Sequence, residues 1–214
     1  MYKIDLQYIN WDKNYCAYSD TKTVAVGMKV VTQFEWGIEI AKVIGFYEIQ
    51  EKDENCEEVT ILHEATGSDI KLHTELFLTS KEALEFCHDE SRRLKLNMKL
   101  VDAHFSLDKK RLVFAFIAQG RVDFRELLKE ITKKYRGSIR LQQIGVRDEA
   151  KISGDLGPCG YGLCCRTYLA TIGNVSTDMA DSQKISQRGV ERLSGICGRL
   201  KCCLAYENEH SKDK

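Results

Sequence analysis

Six of the nine cysteines fall in two short stretches, GPCGYGLCC from Gly157 to Cys165 and GICGRLKCC from Gly195 to Cys203. At an offset of 38 residues, Gly157/Gly195, Cys159/Cys197, Gly160/Gly198, Cys164/Cys202, Cys165/Cys203 and Tyr168/Tyr206 coincide, so G-x-C-G-x3-C-C-x2-Y occurs twice. Six coincidences point to a local duplication, or to two half-sites facing each other across a pseudo-twofold axis. Clustered thiolates are soft ligands, and four of them suit either Zn²⁺ or an iron–sulfur cluster. Cys159, Cys164, Cys197 and Cys202 form the first candidate ligand set, with Cys165 and Cys203 second. Cysteines five apart on one helix would stand about 140° apart around its axis, so a turn must intervene. Gly157, Pro158 and Gly160 allow that turn to carry Cys159, after which Cys164 and Cys165 can begin a helix whose amino end favours thiolate.

The C-x4-C spacing is wider than a zinc knuckle, and six thiols exceed the need of one zinc. Arg166, Arg199 and Lys201 stand nearby to offset the charge of a thiolate-bound cluster. The plainer alternative is six reduced, metal-free thiols buried against each other. Thiol catalysis is the least favoured reading: C-x-x-C is absent, and His63, His73, His88, His104 and His210 are all distant in sequence. A non-enzymatic role is expected.

The rest of the chain bounds how these residues are held. With 214 residues and 43% hydrophobic content, it can build a core without crosslinks. The longest apolar run, Leu112 to Ala118, is far short of the roughly 20 residues needed to cross a bilayer, and MYKIDLQYIN has no secretory-signal pattern. A cytoplasmic protein with no membrane insertion is expected. In a reducing compartment Cys16, Cys56 and Cys87 read as ordinary buried or half-buried thiols. The net charge is zero, but residues 1–80 carry 7 Lys/Arg against 14 Asp/Glu and residues 81–201 carry 23 against 15. The basic part is available to RNA or an acidic partner, although a solvated mixed-charge surface is the commoner explanation.

The expected architecture is α+β in three parts and a tail. Residues 1–78 read as a small β-barrel or curled antiparallel sheet, with Phe34, Trp36, Ile38 and Ile40 of QFEWGIEIAKV on one strand face and EKDENCEE as a charged loop. Residues 79–147 read as a helix, strand, strand, helix, strand layer. Thr79 and Glu82 form a capping box for the first helix, and DKK turns a hairpin between MKLVDAHFSL and RLVFAFIAQ. Asp123 and Glu126 cap the second helix, whose stripe is Phe124, Leu127, Leu128, Ile131 and Tyr135; Gln142 and Gln143 mark a bulge in the last strand. Residues 148–207 form an irregular, glycine-rich cysteine module with a short helix around Val175 to Gln183, and 208–214 a tail.

GRVDFRELLKEI, LQQIGVRDEAK, GPCGYGLCC and SGICGRLKCCLAYE together resemble the YaaT/RicT family, which carries the polymerase-suppressor C-terminal domain. The likeness is dense from about Lys99 to Glu207; GYGL stands where GRPL is usual, and the amino-terminal part diverges. The resemblance implies a regulatory subunit that joins small partners in a RicA/RicF-like complex carrying iron–sulfur clusters. That complex supports mRNA processing by an RNase Y-like ribonuclease, and sporulation, competence and biofilm formation. Carried over by position, Cys159, Cys164, Cys165, Cys197, Cys202 and Cys203 become candidate cluster ligands, for a 4Fe–4S centre whose ligation is shared with partners. Arg121, Asp123, Phe124, Arg125, Arg147, Asp148 and Glu149 fall in shared charged motifs. Asp123 is expected to cap a helix, and Arg147 and Asp148 to pair and brace the sheet against the cysteine region. The other reading makes a partner or RNA surface of Arg121, Arg125, Lys129, Lys133, Lys134 and Arg147. Two alternatives stand beside the cluster-bearing adaptor: a zinc-stabilised RNA-binding module and a thiol oxidoreductase.

Overall fold

The computed structural model describes residues 1–21, 23–52, 56–169 and 173–210, and divides into two compact units, 1–143 and 144–214. The first unit opens with β1 (Tyr2–Gln7), β2 (Tyr15–Ser19), β3 (Lys29–Phe34), β4 (Gly37–Glu48) and β5 (Thr60–Glu64). These form one sheet in the order β2-β1-β4-β3-β5, with every pairing antiparallel. The sheet curls because β4 is long enough to pair with β1 and β3 along different parts of its length. Its concave face buries Ile4, Leu6, Tyr15, Val30, Phe34, Ala41 and Val43. The expected curled antiparallel sheet is thus present, but QFEWGIEIAKV is not one strand: Phe34 pairs with Gly37, so Glu35 and Trp36 turn a hairpin. Gly37 sits at φ +152, and a Cβ there would meet the Asp108 carboxylate at 2.9 Å.

Cys16 and Cys56 are not the ordinary thiols expected of them; they form a disulfide. The expectation rests on an assumed reducing compartment, whereas the fold brings the two residues together at the edge of the sheet. Cys16 N–H donates to the Glu57 carbonyl and Val59 N–H to the Cys16 carbonyl, at 3.1 and 2.7 Å, so the crosslink lies beside a two-bond backbone seam. Cys87 is buried and reduced, as expected. Its thiol is pushed up to about 12, first by burial and then by Glu90.

After the sheet come α1 (Gly67–Arg93), β6 (Lys99–Phe105), β7 (Arg111–Ile117), α2 (Arg125–Lys134) and β8 (Ser138–Gln143). The helix–strand–strand–helix–strand order is the expected one. The sheet order is β6-β7-β8, and β7, central, is buried along nearly its whole length. The β7–β8 pairing is parallel and runs through Gln142 and Gln143 without a shift, so the expected bulge is absent.

α1 begins at Gly67, well before the start expected at Thr79. Its capping box is Thr66 with Asp69, not Thr79 with Glu82; the Thr79 hydroxyl instead donates to the Glu75 carbonyl. Ile70, Phe77 and Leu78 are exposed, which blurs the helical stripe in the sequence. The buried face is built from Leu76, Ser80, Ala83, Cys87 and Ser91. Small side chains let the helix lie close to the strands, and Ser80 Oγ accepts from Phe105 N–H at 3.1 Å. α2 seals the layer with Leu127 and Ile131, both fully buried. Asp123, one residue before the N-cap Phe124, accepts from the first N–H of α2, that of Arg125, and from the Arg125 guanidinium; the expected box with Glu126 does not form.

The second unit contains α3 (Val146–Ser153), α4 (Asp178–Ser182), α5 (Val190–Leu193) and α6 (Cys203–His210), joined by turns. α4 is the short helix expected around 175–183, trimmed at both ends. Among the described residues, no helix is long and apolar enough to cross a membrane.

Candidate functional site

Each copy of the cysteine motif folds into the same tight loop, because glycine stands where the backbone needs it. Gly160 N–H donates to the Gly157 carbonyl and Gly157 N–H to the Tyr161 carbonyl, at 2.9 and 2.7 Å. Thirty-eight residues on, Gly198 donates to Gly195 and Gly195 to Arg199, at 2.9 and 2.8 Å. Gly160 has φ +81 and Gly198 φ +73, left-handed conformations that glycine adopts at no steric cost. This is a three-residue hairpin loop, a β-turn followed by a left-handed residue. The flanking bridges repeat as well: Leu156 pairs with Gly162 and Ser194 with Leu200. Leu163 N–H donates to the Asp155 carbonyl as Lys201 N–H does to Leu193. The duplication read in the sequence is therefore a duplicated structure.

The two copies meet through their equivalent positions. Cys164 stands close enough to Cys202 to push its thiol upward, and the Tyr168 and Tyr206 rings pack edge to face with centroids 5.5 Å apart. A residue that touches its own counterpart lies next to a twofold axis, so the loops face each other as half-sites. Between them is a pocket with a cavity volume of about 140 Å³. All six motif cysteines line it, with apolar wall supplied by Pro158, Leu163, Ile196 and Leu200.

The two copies diverge just past their double cysteines. Cys203 begins α6, whereas Cys164 and Cys165, expected to begin a helix, begin only a turn, in which Arg166 N–H returns to Leu163 and Leu169 N–H to Cys164. Cys165 is buried, Cys159 is exposed and the other four are half-buried.

Electrostatics in the pocket work against bare thiolates. Burial pushes the Cys202 thiol up to about 11, and the neighbouring Cys164 and Cys165 push in the same direction. Cys203 is raised by burial, then by Glu207 and Cys164. Burial also raises Cys165, offset in part by Lys151 and Arg147. Crowded thiols of this kind hold their protons until a cation takes the protons' place.

The donor chemistry therefore suits a soft metal centre, but its form is constrained. A single tetrahedral zinc needs its sulfurs at about 2.3 Å from one point. Among the described residues, no three His, Cys, Asp or Glu side chains converge in that way. A polynuclear iron–sulfur cluster distributes its metal atoms, so its sulfur ligands surround a volume instead of meeting at a point. Six thiols around an apolar pocket are soft donors of the kind that either centre would use.

The charged candidates divide between the units. Arg147 belongs with the cysteines: it lines the pocket and donates to the Leu200 carbonyl at 3.1 Å. It does not pair with Asp148, which accepts from Gly145 N–H at the start of α3. Both side chains are spent on loop ends of the second unit, where backbone groups have no helical partner. Arg166 lies over Gly154, the positive-φ residue that ends α3. On α2, Arg125 pairs with Asp123, Lys129 with Glu126, Lys133 with Glu130, and Lys134 covers the Phe86 ring. Arg121 is exposed in the preceding loop. Three of the four α2 cations are thus matched locally by nearby acids, a pattern present in the sequence that reading a basic face passes over.

Comparison with known proteins adds the family. Residues 59–144 match the PSP1 C-terminal conserved region, and residues 174–213 match the third domain of PSP1-like proteins. The chain is 39% identical to stage 0 sporulation protein YaaT of Bacillus subtilis over 181 residues, 84% of this chain and 66% of that protein. The chain therefore carries the PSP1 C-terminal region and the third domain of PSP1-like proteins. Its match spans just under two thirds of the Bacillus relative's length. Shorter likenesses join the chain to two yeast proteins. One is PSP1 of Saccharomyces cerevisiae, 45% identical over 47 residues, which are 22% of this chain and 6% of the yeast protein. The other is an uncharacterized protein of Schizosaccharomyces pombe, 38% identical over 58 residues, 27% of this chain and 8% of that one. No solved structure matches the chain. The two family matches cover β5 through β8 and the second cysteine loop; the first loop lies between them.

Proposed function

We propose that this chain is a non-catalytic regulatory subunit whose duplicated cysteine loops hold an iron–sulfur cluster. The observation that carries the reading is that Cys159, Cys164, Cys165, Cys197, Cys202 and Cys203 line one apolar pocket, from two loops of the same construction. When bound, the cluster would supply redox and oxygen sensitivity and a structural link between the half-sites. The chain's own residues do the rest. Gly160 and Gly198 turn the loops, Arg147 ties α3 to the second loop, and the Cys164–Cys202 and Tyr168–Tyr206 contacts set the loops face to face.

The similarity to a sporulation protein supports a regulatory role rather than turnover of a substrate. Six thiols are fewer than the eight that two complete four-iron clusters require. For a second cluster, ligation would be shared with small partner subunits, in a RicA/RicF-like complex acting on an RNase Y-like ribonuclease. Arg121 and the α2 cations Arg125, Lys129, Lys133 and Lys134 are the surface proposed for RNA or an acidic partner, reached by exchanging their local acidic partners. The cytoplasm is the proposed location.

Anaerobic purification of the chain with its native partners, followed by metal and sulfide analysis, tests the reading. Iron and sulfide in equal amounts, with broad visible absorbance that Cys164→Ser together with Cys202→Ser abolishes, is the expected result. Stoichiometric zinc without iron would replace the cluster by a structural metal. Turnover of a disulfide substrate by metal-free protein would replace the adaptor by an oxidoreductase.

A further inference from the structure

Tyr168 stands four residues after Cys164 and is the position at which the motif repeat ends. Its hydroxyl donates to Cys164 Sγ at 3.4 Å, within reach for a sulfur acceptor. The contact is held from two sides. Leu169 N–H bonds the Cys164 carbonyl and closes the turn that swings the ring back over the cysteine. The Tyr206 ring packs against Tyr168 edge to face, which fixes its plane. Tyr168 is 60% exposed. The hydrogen bond and the electrostatic neighbours, Cys164 and Cys203, come from both half-sites, so the hydroxyl lies where the two cysteine pairs approach each other.

A neutral thiol is a weak acceptor, and a thiolate a much stronger one, because a charge-assisted hydrogen bond is roughly twice as strong as a neutral pair. A Tyr168 hydrogen bond to a metal-bound Cys164 sulfur would be of the charge-assisted kind. Hydrogen bonds to cluster sulfurs are one of the factors that set reduction potential. A donor draws electron density from the sulfur and stabilises the reduced, more negative form.

We propose that Tyr168 is a positioning residue that donates its hydroxyl hydrogen bond to the ligating sulfur of Cys164 and raises the reduction potential of the cluster held between the two loops. The inference rests on the cluster reading above. It assigns to the duplicated geometry a role that the thiols alone do not have: the O–H···S contact at Cys164 makes the sulfur of the first half-site a hydrogen-bonded ligand.

The test is a redox titration of full-length wild type and Tyr168→Phe, each reconstituted anaerobically with ferrous iron and sulfide and followed by its visible absorbance. Tyr168→Phe keeps the ring and its packing on Tyr206 and removes only the donor. The expected result is unchanged iron and sulfide content with a midpoint potential shifted to more negative values, while Tyr161→Phe, at the exposed tip of the first loop, leaves the potential in place. Equal potentials for wild type and Tyr168→Phe overturn the proposal and leave the cluster reading standing. A folded Tyr168→Phe protein that takes up no iron also overturns it, since the hydroxyl would then be needed for ligation rather than for tuning. Wild type that takes up no iron, alone or with its native partners, overturns both.

Discussion

Reduction of the Cys16–Cys56 bond gives a prediction whose size follows from the chain itself. The two cysteines are 40 residues apart in sequence. Loop-closure entropy for a loop of that length makes the crosslink worth about 4 kcal/mol at 25 °C, through restriction of the unfolded chain. Two further facts choose the variant. Cys16 is fully buried, so Cys16→Ser also places a hydroxyl in the core, whereas Cys56 is half-buried at the surface. Cys56→Ser is therefore the cleaner probe. With a urea dependence of about 2 kcal/mol per molar, the unfolding midpoint of the first unit should fall by about 2 M. Intrinsic fluorescence of Trp11 and Trp36, both in that unit, follows the transition. Wild type treated with a dithiol should match untreated Cys56→Ser, and dithiol should have no further effect on the variant. A wild-type midpoint that dithiol moves by less than about 0.5 M, a quarter of the shift expected from the entropy of closure, would refute the reasoning. In that case the backbone seam at Glu57 and Val59 would hold the sheet edge without the crosslink.

The remaining predictions concern single residues. Leu127→Ala or Ile131→Ala removes a fully buried side chain of α2 and should cost about 2–5 kcal/mol in urea unfolding. Gly160→Ala and Gly198→Ala each force a side chain into left-handed backbone with open space around the Cβ, so the cost is conformational alone, about 1–2 kcal/mol. Hydrogen exchange should speed up locally in the substituted loop. The His73 pKa is depressed from 6.5, first by burial and then by His104 and Lys29. Its contribution to stability is fully present above pH 6.5 and lost as the pH falls from there through the folded pKa, because the unfolded chain takes up a proton that the folded one resists. His73→Gln should flatten the pH dependence of the urea midpoint on that side. Thr66→Ala removes the α1 capping box and should cost about 1 kcal/mol.

The repeating parts of this protein are legible in the sequence because their signals are local. The α1-β6-β7-α2-β8 order follows from hydrophobic period, and β7 is identifiable as a central strand because apolar residues occupy both its faces. The duplicated loops follow from glycine and cysteine spacing. Misreadings arise where distant residues decide. The Thr66 cap is hidden because Ile70, Phe77 and Leu78 are exposed and mask the stripe that α1 buries. Phe34 and Trp36 read as one strand face because a two-residue hairpin preserves alternation across its turn.

The sequence alone determined that two copies of G-x-C-G-x3-C-C exist and what their thiols can bind, since donor type and loop conformation are properties of the residues and their near neighbours. Only the tertiary structure decided that Cys164 meets Cys202 and Tyr168 meets Tyr206. Bringing residues 38 apart together requires the whole intervening chain to fold back. It likewise decided that Cys16 and Cys56, indistinguishable in sequence from Cys87, are joined: pairing depends on where the sheet edge closes, and that is set by the strand order rather than by any residue beside either cysteine.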